Sequence, residues 1–369
     1  MFLKYLQLTN FRLHRNSLLH FSEGLNYIIG GNGQGKTTIL EAIYYASTTK
    51  SFIGSDSEVV TFNENFFEIK ANIQDMISDT VIIRYDKFQN RKFYSLNGKL
   101  ISSPQEIVGK YPVVLLSPID SKITEELPQE RRKFVDSVIS QISINYLKNL
   151  LEYKRILKQR ASLLAEMKEN KSNNFFEELE VWNEKLIEVG SKLILARKEF
   201  IEEFNEYVKK VYQQIMKGQE EPLIVYETIN FNSEAELVQK FRDELEKKRE
   251  AELRRAMNLV GPHKDEFRFL INGIELRVYG SQGQHKTFQV ALRFAEYFYL
   301  KHKVNKNPFF LLDDVFGELD QYRSRKISEH LSELGQTFIT LTDFNNYQHL
   351  IKSSRDQVIR IENGESINV

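Results

Sequence analysis

The chain has 369 residues, 41% hydrophobic and 28% charged, the make-up of a globular protein with room for two or three domains. It has no cysteine, which excludes disulfides, thiolate zinc sites and cysteine nucleophiles; 51 basic residues balance 51 acidic ones, so overall charge gives no support to a nucleic-acid partner. No apolar run approaches the roughly 18–20 residues that span a bilayer, and residues 1–8 alternate like a strand instead of forming a signal-peptide core, so the expected address is cytoplasmic with no membrane contact.

In chain order, Leu25-Asn26-Tyr27-Ile28-Ile29 reads as a buried strand. It runs into Gly30-Gly31-Asn32-Gly33-Gln34-Gly35-Lys36-Thr37, which fits the phosphate-binding pattern G-x-x-x-x-G-K-[ST], and a helix leaves from Thr37 and Thr38 through Ile43. Such a loop turns backbone N–H groups onto phosphate oxygens, and the helix N-terminus adds partial positive charge. A nucleotide is therefore the expected ligand, with Lys36 at the β/γ-phosphates in a catalytic role and the Thr37 hydroxyl on Mg²⁺.

Short alternating segments follow at 66–73, 81–85 and 92–96, the last turning through Asn97-Gly98 into 99–101 as a hairpin, and 111–116 reads as another buried strand. From Pro128 the character changes. No proline recurs before Pro222, and apolar residues such as Phe134, Val138 and Ile142 fall at helical spacing, which predicts several long helices. A second charged helical stretch covers about 233–259, and neither stretch keeps a long heptad. Strand character returns at 267–271 and, across Asn272-Gly273, at 274–278. A helix from about Gly283 to His302, the strand 309–312, a helix over about 322–334 and the strand 337–341 complete the reading. The expected organisation is 1–127 as the first part of a nucleotide-binding head, 128–260 as a helical lobe, and 261–369 as the second part of the head.

Phe309-Phe310-Leu311-Leu312-Asp313-Asp314 has the Walker B form, in which a buried parallel strand delivers carboxylates to its ligand-binding end. Asp313 is expected to hold Mg²⁺ through its water shell, and Asp314 to orient or deprotonate an attacking water. Ser281 is a natural helix N-cap. Its place about thirty residues before Walker B, after a hairpin and in Ser281-Gln282-Gly283-Gln284, is similar to the signature motif of ABC-type ATPases. That resemblance implies a catalytic role in trans, with Ser281 meeting the γ-phosphate held by a second subunit, and makes Gly317-Glu318-Leu319-Asp320 a D-loop in the dimer interface.

Together these pieces resemble the RecF family of bacterial recombination and repair ATPases. The resemblance rests on Asn10-Phe11-Arg12, the P-loop, Leu40-Glu41-Ala42-Ile43, Lys50-Ser51-Phe52, Leu116-Ser117-Pro118-Ile119-Asp120, Glu130-Arg131-Arg132-Lys133-Phe134-Val135-Asp136, Gly261-Pro262-His263-Lys264-Asp265, the signature, Walker B with its D-loop, and Gln336-Thr337-Phe338-Ile339-Thr340, in order over nearly the whole chain. Departures are Ile53 for a frequent arginine, Ile119 for glutamate, Gly317 for serine and His285 for glutamine. The resemblance implies an α/β fold, an ABC-type P-loop ATPase head of mixed sheets around a P-loop helix with an inserted, mainly helical lobe. It adds Arg12 to the ATP-binding residues. It further implies slow, DNA-stimulated ATP hydrolysis, an ATP-dependent homodimer on gapped or junction DNA, work with RecR and RecO to load RecA, and roles in replication and the SOS response.

Competing readings are a transporter-type ABC ATPase, opposed by the missing Leu-Ser-Gly-Gly-Gln and switch histidine, and an SMC-like head, opposed by the short insertion. A P-loop kinase would leave the signature and D-loop without a role. The basic clusters 131–133, 154–160, 247–249 and 254–255 read first as solvated helix faces interleaved with glutamate, His263 as either a loop or a site residue, and Trp182 as packing.

Overall fold

The computed structural model describes residues 1–169, 174–216, 220–317, 321–342 and 353–367. Along the chain, β1 (Phe2–Phe11), β2 (His14–His20) and β3 (Leu25–Ile29) lead into α1 (Lys36–Thr48) and the short α2 (Asp56–Val59). Then come β4 (Phe66–Gln74), β5 (Ser78–Asp86), β6 (Arg91–Leu96), β7 (Lys99–Ile101) and β8 (Val113–Leu116). Helices α3 (Ser121–Glu125), α4 (Pro128–Ile142), α5 (Ile144–Glu169) and α6 (Asn174–Met216) follow, then β9 (Pro222–Glu227) and α7 (Glu234–Arg255). The rest is β10 (Glu266–Ile271), β11 (Ile274–Glu275), α8 (Leu276–Tyr279), α9 (Gln282–Val304), β12 (Phe309–Leu312), α10 (Gln321–His330), β13 (Thr337–Leu341), β14 (Gln357–Glu362) and β15 (Glu365–Ile367).

By their contacts these elements form two compact units, 1–121 with 286–369, and 122–285. The expected segments 128–260 and 261–369 differ from this division over 122–127 and 261–285. The reason over 261–285 is pairing: β10 lies antiparallel to β9 in a three-stranded sheet, β11-β10-β9.

The first unit holds two six-stranded sheets. One is antiparallel, in the order β2-β1-β4-β5-β6-β7, and its strands alternate buried and open positions. The other has the order β15-β14-β3-β13-β12-β8, with every pair parallel except β15 on β14. Its central strands, LNYII, TFITL and FFLL, are buried at every position, as strands covered on both faces must be. Ile39, Leu40 and Ile43 of α1 share a core with Phe67, Ile69 and Ala71 of one sheet and Ile28, Leu311 and Phe338 of the other.

Three Asn-Gly turns have both residues at positive φ, the mirror-image geometry that matches strand twist: Asn97-Gly98, Asn272-Gly273 and Asn363-Gly364. The second hairpin is shorter than expected. Its returning arm keeps only Ile274 and Glu275, because Leu276 turns inward to 1% exposure and the chain coils into α8. The alternation of 274–278 therefore does not extend as a strand. β2, β9, β14 and β15 were not expected from the sequence.

In the second unit Pro128 stands in the first turn of α4, and Ser233 caps α7 by accepting from Glu236 N–H. Leu163, Leu164 and Met167 of α5 pack on Leu179, with Trp182 and Leu253 against them, so the single tryptophan is a packing residue. Arg160, 1% exposed, is held by Glu252, Asn183 and Asn258.

In the first unit the half-buried Arg293 of α9 bridges Asp120, 2.6 Å away after β8, and Glu296, at 2.7 Å. Two carboxylates share this cation, and burial pushes the Glu296 carboxyl up to about 7. A folded-state value above the unfolded one means that proton uptake stabilises the fold, an advantage fully present near pH 4 and lost as pH rises through about 7. Glu296→Gln is expected to flatten the melting temperature between pH 6 and 8, where the parent chain loses stability; an equal slope in both proteins would place the titrating group elsewhere.

Candidate functional site

Parallel pairing decides where the site lies. Leu341 of β13 is in register with Ile29 of β3, and Leu312 of β12 with Ile339 of β13, so the carboxyl ends of the three strands form one edge. The P-loop leaves β3 at that edge, Asp313 and Asp314 leave β12, and Thr340 lies near the end of β13. Gly30 N–H donates to Leu341 O at 3.3 Å and Asp313 N–H to Leu116 O at 2.9 Å, tying both loops to neighbouring strands.

The loop has little tolerance for side chains. Gly35, at φ 98°, caps α1, and a Cβ there would stand 2.9 Å from His14 Nε2. A Cβ on Gly30 would stand 2.3 Å from Ile361 O. No carboxylate occupies the first turn of α1, which leaves its positive end for an anion. Lys36 Nζ donates to the carbonyls of Gly30 at 2.7 Å and Gly31 at 2.9 Å. Burial lowers the Lys36 pKa, and Asp314 and Asp313 act in the opposite sense.

Thr37 and Asp313 meet directly: the hydroxyl donates to Asp313 Oδ1 at 2.8 Å. Thr340 Oγ1 donates to the same carboxylate oxygen at 2.8 Å and accepts from Asp314 N–H at 2.9 Å. Burial raises the Asp313 pKa, and the two threonine hydroxyls pull it back. The exposed Asp314 adopts φ 50°, a left-handed conformation uncommon outside glycine and often found at functional positions. The adjoining hydroxyl and carboxylate form the hard oxygen set that suits Mg²⁺, and the glycine loop with its uncapped helix end suits a polyphosphate.

The loop is braced from behind. Buried His14 offers Nε2 to Gly35 O at 3.1 Å and Nδ1 to Ser17 Oγ at 2.9 Å, and Ser17 donates onward to Gly364 O at 2.8 Å. Gly364 N–H donates to Gln34 O at 3.2 Å, and Asn363 N–H donates to the Gln34 side chain. Burial lowers the His14 pKa, and its bond to Gly35 O acts in the opposite sense.

The guanidinium of Arg12 lies on Glu41 of α1, one of its bonds spanning 2.7 Å, and Ser51 donates to the same carboxylate. The expected motifs at 10–12, 40–43 and 50–52 thus converge on one buried acid. Thr340, His14, Glu41 and the 363–364 turn escaped the sequence reading as site residues. The Asn-Gly pair was the available signal for the last; the others depend on pairing between distant segments.

In the second unit Ser281 caps α9 reciprocally with Gln284: Gln284 N–H donates to Ser281 Oγ at 3.2 Å and Ser281 N–H to Gln284 Oε1 at 2.9 Å. Ser281 and Gln282 are exposed, Gly283 is half-buried, and Gln284 donates to Glu220 at 2.8 Å. His285 is buried below them. Asp320 lies outside the described residues. His263 bonds Tyr153 OH at 2.8 Å and Asn258 O at 3.2 Å, and burial pushes its pKa down to about 4, so it is a neutral structural residue of this unit. Arg131 departs from the solvated-face reading, being buried and paired with Glu266 of β10, whereas Lys133 pairs with Glu130, Arg155 with Glu152, Lys247 with Glu244 and Arg249 with Glu246, as solvated faces interleaved with acids should.

Comparison with known proteins places this geometry. The family described as "RecF/RecN/SMC N terminal domain" matches residues 2–366. The chain is similar to the DNA replication and repair protein RecF of Chloroherpeton thalassium, 40% identical over 359 residues, 94% of this chain and 97% of that protein. To the RecF of Clostridium tetani it is 33% identical over 372 residues, covering both chains fully. The solved structure of a recombination mediator protein RecF with ATP, in the RecFOR pathway, superposes with a TM-score of 0.91 at 33% identity, over 100% of this chain and 97% of that one. An Smc head bound to the C-terminal winged-helix domain of ScpA shares the fold alone, with a TM-score of 0.56 at 16% identity.

Thr340→Val removes the second hydroxyl from Asp313 without touching the P-loop. Calorimetric titration with ATP is expected to show unchanged binding without Mg²⁺ and a metal-dependent component weakened about 10- to 100-fold. Equal binding of Mg-ATP by the variant would show that Thr340 does not position the metal ligand.

Proposed function

Because the chain belongs to the RecF family of DNA replication and repair proteins, within the wider RecF/RecN/SMC group, we propose that it is a slow ATPase whose nucleotide closes two copies of the chain on DNA. The observation that carries this reading is the constellation of Lys36, Thr37, Asp313 and Thr340 on one sheet edge. The family likeness over nearly the whole chain supports it.

In this reading the N–H groups of Gly31 to Thr38 hold the phosphates of ATP, and Lys36 leaves its resting carbonyls for the β/γ-phosphates. Thr37 and Asp313 would hold Mg²⁺, which supplies charge neutralisation at those phosphates. Asp314 orients the attacking water. Ser281 of a second copy, with the start of its α9, completes the site from the other side, and Asp320 lines the same interface. Turnover then removes the phosphate contact that joins the subunits, so hydrolysis acts as a release step.

The partners proposed are gapped or junction DNA and RecR, with RecO and RecA downstream, in a cytoplasmic repair and replication role that includes the SOS response. DNA stimulation of turnover belongs to the same proposal. An SMC-like or transporter-type head is the alternative. DNA binding to a gapped duplex that strengthens with ATP separates the readings, and no effect of ATP on that affinity would count against this one.

Two substitutions divide the roles. Ser281→Arg is expected to keep ATP binding and lose the dimer that forms with a non-hydrolysable analogue, read by sedimentation velocity; an undiminished dimer removes Ser281 from the interface. Asp314→Asn is expected to bind ATP and dimerise while turnover falls by about 100-fold or more, within the usual contribution of acid–base groups. Unchanged hydrolysis would move the water-activating role to another residue.

A further inference from the structure

The antiparallel sheet of the first unit has one face on the core, through Phe67, Ile69, Ala71 and Ile83. Its other face carries the alternate residues of β4, β5 and β6, whose order follows from the register. Glu68 is opposite Arg84, Arg84 opposite Phe93, Phe66 opposite Asp86, and Asp86 opposite Arg91. Two rows therefore cross the three strands, Glu68-Arg84-Phe93 and Phe66-Asp86-Arg91, each with one cation, one ring and one acid. The Arg84 guanidinium covers the Phe66 ring at 4.3 Å from its centroid, and Arg91 covers Phe93 at 5.3 Å. The β5–β6 turn adds Lys87 and Phe88, the latter 82% exposed. Lys87 N–H is tied to Asn65 O at 2.8 Å, and Asp86 Oδ1 accepts from Gln89 N–H at 3.0 Å, so the turn has a defined conformation.

Among the described residues, Arg84, Lys87 and Arg91 form no ion pair. In the basic clusters of the helical unit Lys133, Arg155, Lys247 and Arg249 hold glutamates. On these strands and their turn, Lys70, Arg84, Lys87 and Arg91 face outward against Glu68 and Asp86, an excess of cations in a chain of zero net charge.

We propose that this sheet face binds single-stranded DNA, with bases stacking on Phe88 and Phe93 and phosphates meeting Arg84, Lys87 and Arg91. The proposal deepens the DNA-binding reading and rests on it. An open aromatic ring such as Phe88 serves unpaired bases, whose faces are free, whereas a duplex hides those faces and offers mainly phosphates. A guanidinium already stacked on a ring is held flat, ready to meet a phosphate or a further base.

The test is fluorescence anisotropy of the full-length chain with a labelled oligothymidylate and with a duplex of equal length, over a salt series. Phe88→Ala with Phe93→Ala is expected to weaken oligothymidylate binding at least tenfold and duplex binding less than twofold, while Phe88→Tyr alone keeps the parent affinity. Arg84→Ala with Arg91→Ala is expected to reduce the slope of log affinity against log salt by about 1.4, at about 0.7 per single-strand phosphate. Unchanged ATP binding at the P-loop reports that each variant is folded. Variants that bind oligothymidylate like the parent, or lose duplex and single strand alike, overturn the assignment of this face and leave the wider reading standing. A parent chain that binds no DNA in any form overturns both.

Discussion

A carboxylate buried at the end of a strand needs donors, and the donors of Asp313 come from two other segments of the chain. Thr37 approaches from the start of α1 and Thr340 from β13, both at 2.8 Å from the same oxygen. A hydrogen bond to a charged group contributes about 1.5–3 kcal/mol, and leaving a buried charge without one costs more. That requirement couples β3, β12 and β13. A slip in the pairing of any one would separate the P-loop from its acidic partner and leave Asp313 desolvated without compensation. The parallel register is thus both a folding constraint and the feature that assembles a nucleotide site.

The P-loop is held on its other side by contacts made far from it in sequence. The Asn363-Gly364 turn reaches Gln34, and His14 with Ser17 bridges Gly35 to Gly364. A Cβ on Gly364 would lie 2.7 Å from Leu13 O, so this turn admits only glycine at close approach. Glu41 anchors the far side of α1 through Arg12 and Ser51. The loop is therefore pre-formed by its surroundings, which lowers the ordering cost of ligand binding.

Local signals in the sequence were enough for the parts whose chemistry is local. Glycines at fixed spacing, a strand before and a helix after identified Gly30 to Thr37, and four apolar residues followed by two acids identified Asp313 and Asp314. Ser281 was legible as an N-cap because capping is decided within one helical turn. Thr340 was not, since a threonine in a buried strand looks like any other β-branched residue until the neighbouring strand is known. The same holds for His14. Arg12 stood out in a family motif, yet the partner it meets, Glu41, follows from packing. The alternation of residues 274–278 was real but too short to separate a strand from a helical turn.

The site described in the first unit brings the glycine loop, the Thr37–Asp313 pair and Asp314 to one sheet edge. Its central functional claim is that a second copy completes it through Ser281. Mixing two defective chains tests that claim most directly. Lys36→Met disables the cradle and Ser281→Arg disables the signature, so neither protein alone can form a working site. A mixed pair holds one site with both faces intact. The account predicts that equimolar mixing restores a measurable fraction of ATP hydrolysis absent from either variant. Mixed chains that stay as inactive as each alone, or a Ser281→Arg protein that hydrolyses ATP normally by itself, would contradict it.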